Sequence, residues 1–135
     1  MLDAGQMQNV TELLERSFGI DALWVFGSQA SGRATLESDL DLGVLFSRRP
    51  TVVQRLELQA ELGARLGMPV DLVDLDTASP ALAMQVLRHG QLALDRNPRH
   101  RIAFMTALPS RYEDLRRLRA PIEQKIAARM SARST

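Results

Sequence analysis

Residues 26–42 of the chain are FGSQASGRATLESDLDL, and the predicted strands and candidate site are arranged around this stretch. The apolar run Ala22–Phe26 leads into this stretch and predicts a buried strand. Gly27 and Ser28 end that strand, because both are residues that favour turns. At the far end, Leu40–Phe46 predicts a second strand. The stretch therefore joins two strands through a polar connection.

Two aspartates open the second strand. Side chains alternate between the faces of a strand, so Asp39 and Asp41 are expected to project to one side while Leu40 and Leu42 enter the core. Carboxylates about 7 Å apart on one face repel each other unless a positive charge lies between them. A divalent cation with oxygen ligands is the usual solution.

The turn before the connection has the features of a phosphate-binding loop. Gly27 allows backbone N–H groups to approach an anion closely, and Ser28 offers a hydroxyl. A helical turn within residues 29–36 would add a favourable dipole for phosphate. Gly-Ser alone is common in turns, and Asp-x-Asp alone occurs at half-exposed strand ends. Their occurrence together, in order and between two strands, favours a nucleotide site.

This combination resembles the nucleotidyltransferases of the DNA polymerase β superfamily, most closely their minimal members. Ten residues separate Gly27-Ser28 from Asp39-Leu40-Asp41. That spacing is similar to the MntA-type antitoxins, which are the nucleotidyltransferase partners of HEPN-domain toxins. The likeness extends over roughly residues 10–95 and is weaker in the helical tail.

The resemblance implies a reaction and its residues. We expect a Mg²⁺-dependent nucleotidyltransferase with two Mg²⁺ ions and ATP as substrate. The expected catalytic and metal-binding residues are Asp39, Asp41 and Asp71, and the expected nucleotide-binding residues are Gly27, Ser28 and Arg33.

Three aspartates are candidates for the third carboxylate, because the predicted strand Met68–Asp76 contains Asp71, Asp74 and Asp76. By the resemblance it lies in an apolar-Asp-apolar segment, which favours Asp71. Asp74 has the opposite parity and should face away or end the strand. Asp76 suits a turn or a helix cap. We predict Asp71, with Asp74 as the alternative.

Composition limits the class of protein. The 135 residues suffice for one domain with a core, and the chain is 45% hydrophobic and 24% charged. The absence of cysteine excludes disulfides, thiolate metal sites and cysteine nucleophiles. No apolar run approaches the roughly 20 residues of a membrane span, and no secretory signal is visible, so we expect a cytoplasmic protein.

Charge divides the chain into two parts. Residues 1–95 carry seven Arg and thirteen Asp or Glu, a net charge of −6, whereas residues 96–135 carry ten Lys or Arg and three Asp or Glu, a net charge of +7. We assign residues 1–95 to a minimal nucleotidyltransferase domain and residues 96–135 to a basic helical extension of the same structural unit. Pro109 and Pro121 are expected to break or kink this extension.

An apolar stripe runs along the predicted C-terminal helix at steps of three or four residues. It can pack on the protein's own sheet or, in its later part, form a partner interface. The stripe consists of Leu108, Tyr112, Leu115, Leu118, Ile122, Ile126 and Met130.

The remaining elements complete the predicted fold. Helices are expected over Gln6–Phe18, Thr51–Leu66 and Ser79–His89, with a short edge strand at Gln91–Asp95. The fold class is α/β (α+β), a small mixed sheet with helices on one side and a helical C-terminal extension.

By resemblance, the chain is a nucleotidyltransferase antitoxin that transfers AMP from ATP to a tyrosine hydroxyl of a cognate HEPN toxin ribonuclease. The partners are then that toxin, met through the C-terminal tail, and a nucleoside triphosphate, with no membrane and no direct nucleic-acid contact. The alternative is a non-catalytic antitoxin that inhibits its partner by binding and occlusion.

Overall fold

A computed structural model describes residues 2–27 and 39–133. In chain order the elements are α1 (Ala4–Ser17), β1 (Ile20–Phe26), β2 (Leu40–Phe46), α2 (Val52–Leu66), β3 (Val70–Asp74), α3 (Pro80–His89), β4 (Gln91–Asp95) and α4 (Pro98–Arg133). The helices and strands predicted outside residues 28–38 are all present, with ends that differ by a few residues. Among the helices in these two ranges, none combines the length and apolarity needed to cross a membrane.

The first three helices begin at polar capping residues. Asp3 accepts a hydrogen bond from the backbone N–H of Gln6, whose side chain bonds back to the Asp3 backbone. Thr51 and Gln54 form the same reciprocal arrangement at the start of α2. Ser79 caps α3 through the N–H of Leu82. Each cap satisfies a donor that the first helical turn leaves free.

Within the part of the chain that the structure describes, the sheet has four strands in the order β3-β2-β1-β4. Strand β1 pairs in antiparallel fashion with both β2 and β4, whereas β2 and β3 are parallel. This mixed sheet and the four helices of the described residues confirm the predicted fold class, and β4 lies at an edge as expected.

Helices cover both faces of the sheet, which differs from the predicted arrangement on one side. One core cluster packs α1 and α2 on Leu23, Leu42 and Leu72. The other packs α3 and α4 on Trp24 and Leu45. The physical reason is that the central strands carry apolar side chains in both orientations, so each face needs its own cover.

The outer edge of β3 is held by side chains of α2. Arg55 donates a hydrogen bond to the Leu72 carbonyl at 2.8 Å, and the Leu72 N–H donates to Gln59 Oε1 at 2.8 Å. The strand is therefore fixed on the side that faces away from β2.

Helix α4 packs on the sheet only through its first part. Phe104 and Leu108 are buried, and the ring centroids of Phe104 and Trp24 are 6.4 Å apart. The helix continues through Pro109 and Pro121, so of the break or kink predicted at these prolines the break does not occur. A proline removes a single backbone donor, and the helical pattern resumes beyond it.

Candidate active site

Two of the predicted catalytic aspartates lie side by side at one end of the sheet. The parallel register of β2 and β3 places Asp41 opposite Asp71, and the antiparallel register of β1 and β2 places Asp41 opposite Phe26. Asp39 lies just before β2 and is exposed. The structure therefore places Asp41 between Asp71 and the strand that leads into Gly27, and we call Asp41 and Asp71 the carboxylate pair.

Electrostatic repulsion acts on the carboxylate pair. The pKa of Asp41 is raised above its ordinary value, first because partial burial disfavours the charged form, and then because of the negative charges of Asp71 and Asp39. A cation among these groups would remove the repulsion. The raised pKa of Asp41 therefore identifies a place where positive charge is favourable.

Gly27 is in close contact with Asp41. Its φ of +75° lies in the left-handed region, which glycine adopts without strain. A Cβ added at this position would overlap Asp41 Oδ2. Both the conformation and the close approach therefore require glycine at the end of β1.

Asp74 and Asp76, the other two aspartates of the predicted third strand, lie away from the carboxylate pair. Asp74 is 5% exposed, and its Oδ1 accepts a hydrogen bond from the Asp76 N–H at 3.1 Å. Its carbonyl accepts bonds from the N–H groups of Thr77 and Ala78. Burial is the main reason that the pKa of Asp74 is raised. Asp74 thus shapes the turn that ends β3, as expected from its parity, and Asp71 is the aspartate that lies beside Asp41.

Part of the predicted site lies outside the described residues. Ser28 and Arg33 fall in residues 28–38, so their assignment to nucleotide binding stays a prediction. Within residues 2–27 and 39–133, no three histidine, aspartate or glutamate side chains are grouped so that they could hold a metal ion. The assignment of metal to Asp39, Asp41 and Asp71 likewise stays a prediction.

A second cluster of aspartates at the opposite end of the sheet was not predicted. His100 Nδ1 lies 2.6 Å from Asp21 Oδ2, and its Nε2 lies 2.8 Å from Asp76 Oδ2. Ser47 donates to Asp21 Oδ1 at 2.7 Å. We call Asp21, Ser47, Asp76 and His100 the histidine clamp. The contacts of His100 join residues 79 and 24 positions apart, so no local pattern in the sequence could indicate them.

The protonation of the clamp follows from its geometry. Ionised carboxylates accept hydrogen bonds, so two of them favour the form of His100 in which both ring nitrogens donate, the imidazolium. Burial lowers the pKa of His100, but the hydrogen bond to Asp21 and the charge of Asp76 outweigh it, and the pKa is raised. Burial raises the pKa of Asp21, but hydrogen bonds from Ser47, His100 and Asn97 outweigh it, and the pKa is lowered.

Comparison with known proteins agrees with this geometry. A profile described as "Polymerase beta, Nucleotidyltransferase" matches residues 8–99. The protein adenylyltransferase MntA of Thermococcus cleftensis is 42% identical over 77 residues, which are 57% of this chain and 77% of that protein.

Two solved structures share the fold over nearly their whole length. A toxin–antitoxin structure with AMP-PNP has a TM-score of 0.78 at 28% identity, covering 89% of this chain and 97% of that chain. A tri-AMPylated Shewanella oneidensis HEPN toxin in complex with MNT antitoxin provides a chain with a TM-score of 0.72 at 27% identity, covering 90% of this chain and 98% of that chain. With residues 8–99 matched and the carboxylate pair next to Gly27, the chain belongs to the polymerase β nucleotidyltransferase family.

Proposed function

We propose that this chain is a Mg²⁺-dependent protein adenylyltransferase that transfers AMP from ATP to a tyrosine hydroxyl of a cognate HEPN toxin and thereby neutralises it. The observation that carries the proposal is the Asp41–Asp71 register beside Gly27. The adenylyltransferase name of the Thermococcus relative and the AMPylated toxin of the Shewanella complex support the choice of donor and acceptor.

The carboxylates suit the metal that this chemistry needs. Mg²⁺ is commonly bound by one or two protein carboxylates together with substrate phosphates. Asp41 and Asp71 would supply such a pair, and Asp39 would add a third oxygen ligand from the exposed start of β2. The repulsion that raises the pKa of Asp41 is relieved by such a cation. Bound Mg²⁺ would lower the pKa of the attacking hydroxyl and neutralise charge on the triphosphate.

The transfer itself breaks one bond and forms another. The tyrosine oxygen attacks the α-phosphorus of ATP, the bond from that phosphorus to the oxygen of the β-phosphate breaks, and pyrophosphate leaves. The hydroxyl proton passes to a carboxylate, for which we assign Asp71 because it is more exposed than Asp41. The remaining requirement is to position the triphosphate in line with the acceptor, a role we assign to Gly27, Ser28 and Arg33.

The test is an intact-mass measurement of the toxin. Purified chain, ATP and Mg²⁺ are incubated with the cognate HEPN toxin, and we expect the toxin to gain one or more AMP units. Removal of Mg²⁺ with a chelator should abolish the gain. An unmodified toxin after incubation with the wild-type chain, under conditions where both are folded and associated, would contradict the proposal.

Occlusion without chemistry is the second candidate, and the exposed apolar side chains of distal α4 favour it. Asp41→Asn separates the two. If AMP transfer neutralises the toxin, this variant should bind the toxin yet fail to protect cells that produce it. Full protection by Asp41→Asn would instead favour occlusion.

A further inference from the structure

The distal part of α4 carries an apolar surface that this chain leaves exposed. Leu118, Ile122, Ile126 and Met130 are 74%, 60%, 53% and 67% exposed. They recur every four residues, so they form one continuous stripe along the helix. We call these four residues the distal stripe. Contiguous apolar surface of this kind on a soluble protein marks an interaction site.

The distal stripe is separate from the core of the protein. Among the described residues of α4, the buried side chains are Phe104 and Leu108, which lie at least ten positions before the stripe. The same two residues are the buried contribution of α4 to the second core cluster. Stability of the domain therefore gives no reason for apolar residues at the four stripe positions.

A groove adjoins the stripe where α4 leaves the body. Its cavity of about 380 Å³ lies between α4 and the start of α3, and its lining combines Tyr112 and Leu115 with charged side chains of α4, among them Arg116, Arg119 and Glu123. The groove and the stripe together form one docking surface, since a bulky side chain of a partner can enter the groove while the partner's apolar face covers the stripe.

The charge around the stripe indicates what kind of partner fits. Residues 115–130 carry five Lys or Arg and one Glu, a net charge of +4. A symmetric dimer through this stripe would place the same positive patch of two copies face to face, which is unfavourable. A different protein with an apolar face rimmed by acidic groups is favoured instead.

We infer that the distal stripe and its groove are the surface to which the HEPN toxin docks, through an apolar face of the toxin with an acidic rim. This inference rests on the proposed function. Relatives that share the fold over 97% and 98% of their chains were solved as toxin–antitoxin structures, which identifies the class of partner. Docking through α4 leaves the carboxylate pair free to meet the acceptor tyrosine.

The experiment compares two double variants of the whole chain. Ile122→Asp with Ile126→Asp puts two carboxylates into the stripe. Gln124→Asp with Ala128→Asp makes the same charge change on the opposite face of the same exposed helix. Affinity for the cognate, catalytically silenced toxin is measured by calorimetric titration, with ATP binding and thermal unfolding measured on the same samples.

We expect the stripe variant to bind the toxin roughly a hundredfold more weakly than the wild type, from the loss of two apolar contacts and the burial of charge. The control should bind within a fewfold of the wild type. Both should bind ATP normally and unfold at the wild-type temperature.

Several outcomes would overturn the inference. Tight toxin binding by the stripe variant would show that the toxin docks elsewhere, while the proposed function would stand. An unfolded stripe variant would show that the stripe belongs to the core. Self-association of the wild type that the stripe variant abolishes would identify a second copy as the occupant. If the wild type neither binds nor modifies the toxin, the proposed function itself fails.

Discussion

Asp21 and Asp41 lie on neighbouring strands, at opposite ends of the sheet. Their surroundings shift the pKa of the two carboxyl groups in opposite directions. Asp21 is surrounded by Ser47, Asn97 and His100, which donate to it and lower its pKa. Asp41 is partly buried next to Asp71 and Asp39, and its pKa is raised. The histidine clamp sets one imidazolium between its two carboxylates, whereas the pKa of Asp41 reflects only burial and charges of its own sign. We therefore propose that the partly buried Asp41, beside charges of its own sign and next to the Gly27 turn, belongs to the functional cluster.

The sharpest test of this contrast compares Asp41→Asn with Asp21→Asn, which should have opposite effects on AMP transfer and on stability. Asp41→Asn should lower AMP transfer by about 10³-fold or more, because several kcal/mol of electrostatic stabilisation are lost. It should leave the free energy of unfolding unchanged or raised, since repulsion is removed. Asp21→Asn should do the reverse, with near-normal transfer and a loss of about 2 kcal/mol of stability. Steady-state transfer rates and urea unfolding would check both. Equal effects of the two variants on activity would remove the distinction between the clusters.

The next test separates the two candidates for the third carboxylate. Asp71→Asn should reduce transfer by about 10²-fold or more, because Asp71 lies beside Asp41. Asp74→Asn should leave transfer within a fewfold of the wild type, because Asp74 serves the turn after β3. Transfer rates measured at saturating ATP would rank the two. The opposite ranking would assign the third carboxylate to Asp74.

A smaller effect is expected at the turn after β1. Gly27→Ala should weaken ATP binding by about tenfold, because its Cβ would overlap Asp41 and prevent close approach of a phosphate. Gly67→Ala is the matched control, since Gly67 also has a positive φ, of 67°, but an added Cβ meets nothing within 4 Å. Both variants carry backbone strain of about 1 kcal/mol. Calorimetric titration with ATP should detect a loss of affinity only for Gly27→Ala. An equal loss of affinity in both variants would show that backbone strain alone causes it.

The smallest effect is a pH dependence of stability at the clamp. A raised pKa means that folded His100 holds its proton more tightly than the unfolded chain does. This stabilisation is complete below the ordinary value of 6.5 and is lost as the pH rises through the folded-state pKa. His100→Gln should flatten the decline of the unfolding free energy above pH 6.5. His89 is exposed, so the control variant His89→Gln should show the same decline as the wild type. Urea unfolding from pH 5 to pH 9 would show the difference, and a decline that persists unchanged in His100→Gln would exclude the clamp as its source.

Sequence reasoning predicted the elements that depend on local patterns. The apolar run before Gly27 and the alternation around Asp41 predicted β1 and β2, and parity placed Asp71 and Asp74 on different faces. These inferences succeed because strand periodicity is a local property.

Arrangements that depend on distant contacts could not be predicted in the same way. The histidine clamp joins the start of β1 to the start of α4, and nothing near Asp21 or His100 in the chain indicates it. The second helical layer did have a signal. The run Ala22–Phe26 is apolar at every position, which is typical of a strand buried on both faces. The assignments of Ser28 and Arg33 rest on resemblance and lie outside the described residues.

The side chains of Arg55 and Gln59 on the outer edge of β3 have a consequence for self-assembly. A strand at a sheet edge offers backbone donors and acceptors to which another chain can add as a further strand, the first step of edge-to-edge aggregation. Both backbone groups of Leu72 are already bonded to α2. An incoming strand would have to displace two side-chain hydrogen bonds at the centre of β3. The strand that carries Asp71 is thereby protected from polymerisation through its edge.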